Sequence, residues 1–171
     1  GGMTWALQTA MGKTAVVDMV GGALPLRGSD VGIIMATTLG EVMEVYTAIR
    51  EGKLKVDTIC LDSVTELYKI ILLEVINENP NVSRAYGDQP SMSDYGRATE
   101  LMRRTIRAFR DLPVNLVMTA LAQDVKDEET GGVSRIPSLP GKLAYEVAGY
   151  MDLVGYVFCR TNEDGTAKRG V

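Results

Sequence analysis

The sequence predicts an α/β fold, a mostly parallel β-sheet with helices on both faces. Three observations lead there. Short apolar runs alternate with helix-length amphipathic segments along the chain. Most of the runs are apolar throughout instead of alternating apolar and polar residues, which marks strands buried on both faces. Turn residues or an acidic stop close the runs before the next helix opens, as strand–helix–strand units require.

The elements follow in order. Thr4 to Thr9 (TWALQT) has helix-forming character. Thr14 to Met19 (TAVVDM) is a β-branched run that ends at Gly21-Gly22 and reads as a buried strand; Gly32 to Ala36 (GIIMA) is the next. Thr38 caps a helix over Leu39 to Glu51, with Glu41 at the capping-box position and Gly52 as the stop. Thr58 to Leu61 is a strand closed by Asp62-Ser63, and a helix follows over Val64 to Asn77. Asn79 to Ser93, with two prolines, reads as a loop, and a capped helix spans Asp94 to Asp111. Asn115 to Leu121 is a strand, Lys126 to Leu139 a polar hairpin or loop, and Pro140 to Ala148 a short helix. Asp152 to Arg160 (DLVGYVFCR) reads as a strand, Asn162 to Gly165 as a turn, and a last strand reaches Val171, so an antiparallel C-terminal edge is expected. The 171 residues are enough for one domain with a real core.

Composition removes several classes of function. There is no histidine, which excludes Ser-His-Asp and Cys-His catalysis and most zinc sites. Cys60 and Cys159 both sit in apolar runs and read as reduced core residues. No apolar run reaches the roughly 18 residues of a membrane span, and the N-terminus has no basic-then-apolar signal pattern. The net charge of −4 argues against a broad coat of nucleic acid but leaves room for a local basic stripe.

Chemistry is expected just beyond the carboxyl ends of the strands. TICLDS puts Asp62 there after an apolar run, a Walker B pattern in which the carboxylate faces magnesium, usually through water, and Ser63 orients that water. The same string also fits a strand that ends in a helix-capping Asp. Gln123, just past the Asn115 to Leu121 strand, either senses a γ-phosphate or caps a loop. On the Asp94 to Asp111 helix, Arg103, Arg107 and Arg110 form a stripe at i, i+4, i+7, flanked by Arg97 and Arg104. That stripe reads as a contact for DNA phosphate or a neighbouring subunit's nucleotide, or as a solvated face.

Taken together, AVVDMVGGALPLRG (Ala15 to Gly28), DTICLDSVTELY (Asp57 to Tyr68) and DYGRATELMRRTIRAFRDLPVNLVMTALAQDVKDEETG (Asp94 to Gly131) resemble phage-encoded RecA-like P-loop ATPases of the Sak type, found beside single-strand annealing functions. PSLPGKLAYEVAGYMDLVGYV (Pro137 to Val157) fits the same family, so the resemblance covers nearly the whole chain after Thr4. It implies a RecA-like nucleotide-binding core, ATP and Mg2+ as cofactors, and a role in phage DNA recombination or replication. Single-stranded DNA, an annealing protein and further copies in a ring or filament are the implied partners. The implied location is the cytoplasm of the bacterial host, with no membrane association. Across a subunit interface, Lys142 in PGKL is placed to reach a nucleotide.

The chain departs from that family in two places. The family opens with a strand, a GxxxxGK[ST] loop and a helix, whose backbone N–H groups, Lys and hydroxyl hold the phosphates and magnesium. Here the chain opens GGMTWALQ, so the first strand and most of the loop are expected to be lacking. The lysine position falls on Gly2 or Met3, and Thr4 is left for the magnesium hydroxyl. The family's D-x-E-G-G then reads Asp18-Met19-Val20-Gly21-Gly22, with Val20 in place of the water-orienting carboxylate. Asp18 shares Val20's side of the strand and substitutes for it only if the strand end bends. Met11-Gly12-Lys13-Thr14 contains GKT, but a strand follows it and it reads as a turn. An ATPase for phage recombination and a non-hydrolysing scaffold on the same fold are therefore both open. A small-molecule kinase is disfavoured because no Arg-rich lid is present.

Overall fold

Four short strands carry the fold. The computed structural model describes residues 4, 7–78, 89–126, 131–161 and 167–170, with side chains through 158. Strands β1 (Thr14–Asp18), β2 (Gly32–Met35), β3 (Thr58–Asp62) and β4 (Asn115–Met118) form one sheet in the order β2-β1-β3-β4. Every pairing in it is parallel, with Val16 beside Cys60 beside Val117, and Val17 beside Leu61 beside Met118. Both β1 and β3 are buried at every position, as their unbroken apolar runs require.

Side-chain alternation divides the core between the two faces of the sheet. Ala15, Val17, Ile59 and Leu61 face the larger cluster. There they meet α1 (Leu39–Arg50), α2 (Val64–Glu78), α3 (Met92–Arg110) and α4 (Leu143–Gly149). Phe109 is fully buried in that layer and meets Tyr46 edge to face, 5.7 Å between ring centroids. Val16 and Cys60 face a smaller cluster with Leu7, Ala23 and Leu26, brought in by 3-10 turns at Leu7–Thr9 and Leu24–Leu26. Thr4 is helical; Trp5 and Ala6 lie outside the described residues.

Helix α1 starts as its sequence predicts: the Thr38 hydroxyl accepts from Glu41 N–H and the Glu41 carboxylate reaches back to the Thr38 backbone. Helix α3 starts two residues earlier than expected. Ser91 is its cap and Asp94 is the third helical residue of a capping box, so Asp94 acts inside the first turn. Most of the loop expected before it, residues 79–88, lies outside the described residues.

The C-terminal third differs most from expectation. Strand β4 stops at Met118, not Leu121, because Thr119 leaves the ladder: its N–H bonds Leu61 O and its carbonyl accepts from Val64 N–H. The chain then forms an antiparallel hairpin, β5 (Ala122–Lys126) with β6 (Val133–Pro137), which opens earlier than the loop read at Lys126. Strand β7 (Phe158–Thr161) pairs antiparallel with β8 (Ala167–Gly170) as a separate two-stranded sheet. The strand expected from Asp152 is therefore short, and residues 152–157 join no ladder.

Candidate functional site at the carboxyl end of β3

Asp62 is the last residue of β3, lies beside Asp18 in the β1–β3 register and is buried. Its carboxylate is held from both sides. Thr4 Oγ1 donates to Oδ2 at 2.9 Å, and Thr119 Oγ1 donates to Oδ1 at 2.5 Å. One hydroxyl comes from the N-terminal helical residue and one from the end of β4. The Asp62–Ser63 peptide is cis. Ser63 is buried and its hydroxyl accepts from Glu66 N–H at 3.4 Å in the first turn of α2.

The donor set suits a magnesium ion: one carboxylate and two hydroxyls, all hard oxygen. Magnesium is held by one or two carboxylates plus water and phosphate oxygens, not by a dedicated cage of acids. No cluster of three or more His, Cys, Asp or Glu occurs among the described residues. Beneath the site, burial and the nearby Asp62 charge push the Cys60 thiol up to about 12, so it stays neutral and serves as core.

Asp18 is 1% exposed and its carboxylate is fully engaged. Oδ1 accepts from the N–H groups of Val20, Gly21 and Gly22 at 3.0, 2.8 and 3.2 Å, and Oδ2 from Ala23 N–H at 2.9 Å. The strand end does bend, as a substitute base would need, but the bend wraps the loop around Asp18. Gly21 takes φ of +73° in that loop, a conformation that suits glycine. Val20 is 60% exposed beside the sheet's carboxyl end and brings no polar atom.

The remaining sequence candidates are distributed as follows. Gly2 and Met3 lie outside the described residues. Gln123 sits inside β5, where its Nε2 donates to Leu139 O at 3.4 Å. Arg103 forms a two-pronged pair with Glu146, at 2.6 and 3.0 Å. Arg107 donates to the Tyr150 hydroxyl, and the Arg107 and Arg110 guanidiniums both lie over the Tyr150 ring. The basic stripe therefore docks α4 and Tyr150 against α3. Lys142 is exposed at the start of α4. Lys13 lies in a turn at the amino end of β1, away from Asp62, with its N–H on Asp57 Oδ2. In that turn Gly12 has φ of +70°, and a Cβ there would lie 2.5 Å from the Asp57 carboxylate.

Thr119 is the residue that sequence reasoning missed. Its signal was faint: a hydroxyl at the end of the NLVMT run, one strand over from Asp62.

Together, the parallel sheet and its flanking helices define a module of the P-loop, ATPase-like class. More specifically, the chain belongs to the AAA domain family, whose model matches residues 2–171. AAA domains are nucleotide-binding modules that work with ATP and Mg2+. No curated protein and no solved structure matches the chain. No helix among the described residues is long and apolar enough to cross a membrane.

Proposed function

We propose that residues 1–171 act as one RecA-like nucleotide-binding domain, the Mg-ATP-binding core of a phage DNA recombination or replication protein. The observation that carries this is Asp62, buried at the end of a central parallel strand with Thr4 and Thr119 hydroxyls on its two oxygens. A magnesium ion held at that end of the sheet would supply charge neutralisation for a nucleotide's phosphates. Asp62 would hold the ion's water shell and Thr4 would add a hydroxyl. Ser63 and Asp18 would shape the surrounding backbone, and Gln123 would answer to nucleotide through the β5–β6 hairpin. The phage assignment, and with it single-stranded DNA, an annealing partner, a ring or filament and the host cytoplasm, rests on the resemblance of Ala15 to Gly28, Asp57 to Tyr68 and Asp94 to Gly131. In such an assembly Lys142, exposed on α4, would face a neighbour's nucleotide.

A specific observation favours a second reading, a module that binds nucleotide without hydrolysing it. Val20 stands where a water-orienting carboxylate is expected, and Asp18 is committed to four backbone N–H groups. Phosphate release with magnesium, with and without single-stranded DNA, separates the two. DNA-stimulated turnover that disappears in Asp62→Asn supports the ATPase. Magnesium-dependent binding without turnover supports the scaffold. No magnesium-dependent nucleotide binding at all would remove both.

A further inference from the structure

Strands β1 and β3 are buried at every position, but Gly32, Ile33 and Met35 of β2 are exposed. Among the described residues β2 is bonded only to β1 and forms the outer edge of the sheet. The direction of its open groups follows from one bond. Ala36 N–H turns inward to Asp18 O at 3.1 Å. By alternation Ile34 also turns its N–H and C=O to β1, and those of Ile33 and Met35 point away from the sheet. The side chains of the same two residues are open as well, Ile33 at 37% and Met35 at 56% exposure. Both project from the face of the smaller cluster, in register with Val16 and Asp18. Edges are normally kept apart by lysine or proline, and GIIM has neither.

We propose that this edge joins two copies of the chain, β2 against β2, antiparallel about a two-fold axis, so that their sheets become continuous. The register sets Ile33 opposite Met35 of the second copy. Both residues hold outward N–H and C=O groups, so each such pair exchanges both backbone bonds. The axis stands perpendicular to the sheet and keeps the smaller-cluster faces of both copies on one side. There the Ile33 and Met35 side chains of the two copies cover one another. Charge identifies the occupant as a second copy. Copies with a net charge of −4 repel, so the rim of a self-contact needs matched charges. Arg27 and Asp30, exposed just before β2, have no ion pair with a described residue. Antiparallel pairing carries both to the carboxyl end of the second copy's β2. The same register brings Asp30 to Thr38, the cap of α1, where the first-turn N–H groups favour a carboxylate. Arg27 comes to the end where the exposed Glu41 carboxylate stands. One strand edge thus supplies both halves of its own complement. The contact is isologous, unlike that of a ring or filament, and does not depend on nucleotide chemistry.

The test is sedimentation of the chain over a wide range of concentration, with amide exchange measured at both ends of that range. The expected result is a reversible monomer–dimer equilibrium. Ile33 and Met35 N–H should exchange fast in the monomer and slowly in the dimer, whereas Ile34 N–H, turned to β1, stays slow in both. Met35→Lys places a lysine on the exposed edge and should weaken the dimer at least about tenfold without changing thermal unfolding of the monomer. Ile33→Pro removes an outward N–H, leaves the β1 ladder intact and should act alike. A monomer at every concentration would overturn the proposal. So would a dimer that forms equally well in Met35→Lys, or one in which Ile33 and Met35 gain no protection. Growth past two copies would also overturn it, because a two-fold contact closes at two.

Discussion

Thr119 Oγ1 donates to Asp62 Oδ1 at 2.5 Å, which ties the end of β4 to the end of β3 through a buried carboxylate. Replacing Thr119 by Val keeps the shape and removes the donor, leaving a buried charged oxygen unsatisfied. The expected loss is about 1–3 kcal/mol in urea unfolding. Thr119→Ser should recover most of it. Equal stability of Val and Ser variants would show that the hydroxyl does not hold Asp62.

Asp18→Ala should cost roughly 2 kcal/mol or more, because four N–H groups of the Val20–Ala23 loop lose their acceptor. Asp18→Asn should cost less, since its carbonyl oxygen can still serve Val20, Gly21 and Gly22. Val20→Glu, at an exposed position, should change stability by no more than about 0.5 kcal/mol. Alone it should not start turnover, because an oriented water needs a held γ-phosphate. Phosphate release from Val20→Glu at rates well above wild type would show that the missing carboxylate was the sole deficit.

Much of this was legible in the sequence, for local reasons. The Thr38–Glu41 cap spans three residues, and an apolar run closed by Asp62 announces a buried strand end. What escaped depends on partners far along the chain. Thr119 looks like any β-branched strand residue until β3 lies beside it. Arg103, Arg107 and Arg110 look like a free basic stripe because Glu146 and Tyr150 follow some forty positions later, at a separation of 43 residues in the Arg103–Glu146 and Arg107–Tyr150 pairs. Asp152 to Val157 has strand chemistry, but no partner strand pairs with it among the described residues.

The Arg103–Glu146 pair makes a pH prediction. The Arg103 guanidinium holds the Glu146 carboxyl below its ordinary value of 4.5. A group with a lowered folded value stabilises above its unfolded value and loses that contribution as pH falls through the folded one. The α4 docking should therefore weaken below about pH 4.5, and Glu146→Gln should flatten that dependence. Because the arginine heads are engaged within the chain, Arg103→Gln should loosen α4 without weakening any affinity for single-stranded DNA. A large loss of DNA affinity with α4 intact would restore the stripe as a DNA contact.

Cys60 makes the opposite prediction. Its thiol is raised from 9.0 to about 12 by burial and by Asp62. The unfolded chain releases that proton first, so the Cys60 contribution to stability should be constant below about pH 9 and fall as pH rises toward 12. In a Cys159→Ser background, alkylation at neutral pH should proceed only as fast as the protein opens. Rapid labelling of folded protein would contradict the burial of Cys60.

Calorimetric titration of ATP, with magnesium and with EDTA, into the wild type and Asp62→Asn tests the central claim most directly. For residues 1–171 the account predicts magnesium-dependent binding weaker than about 10 μM, near −7 kcal/mol, and at least tenfold weaker again in Asp62→Asn. Affinity that is the same in both proteins, or indifferent to magnesium, would contradict the assignment of the nucleotide site to the carboxyl end of β3.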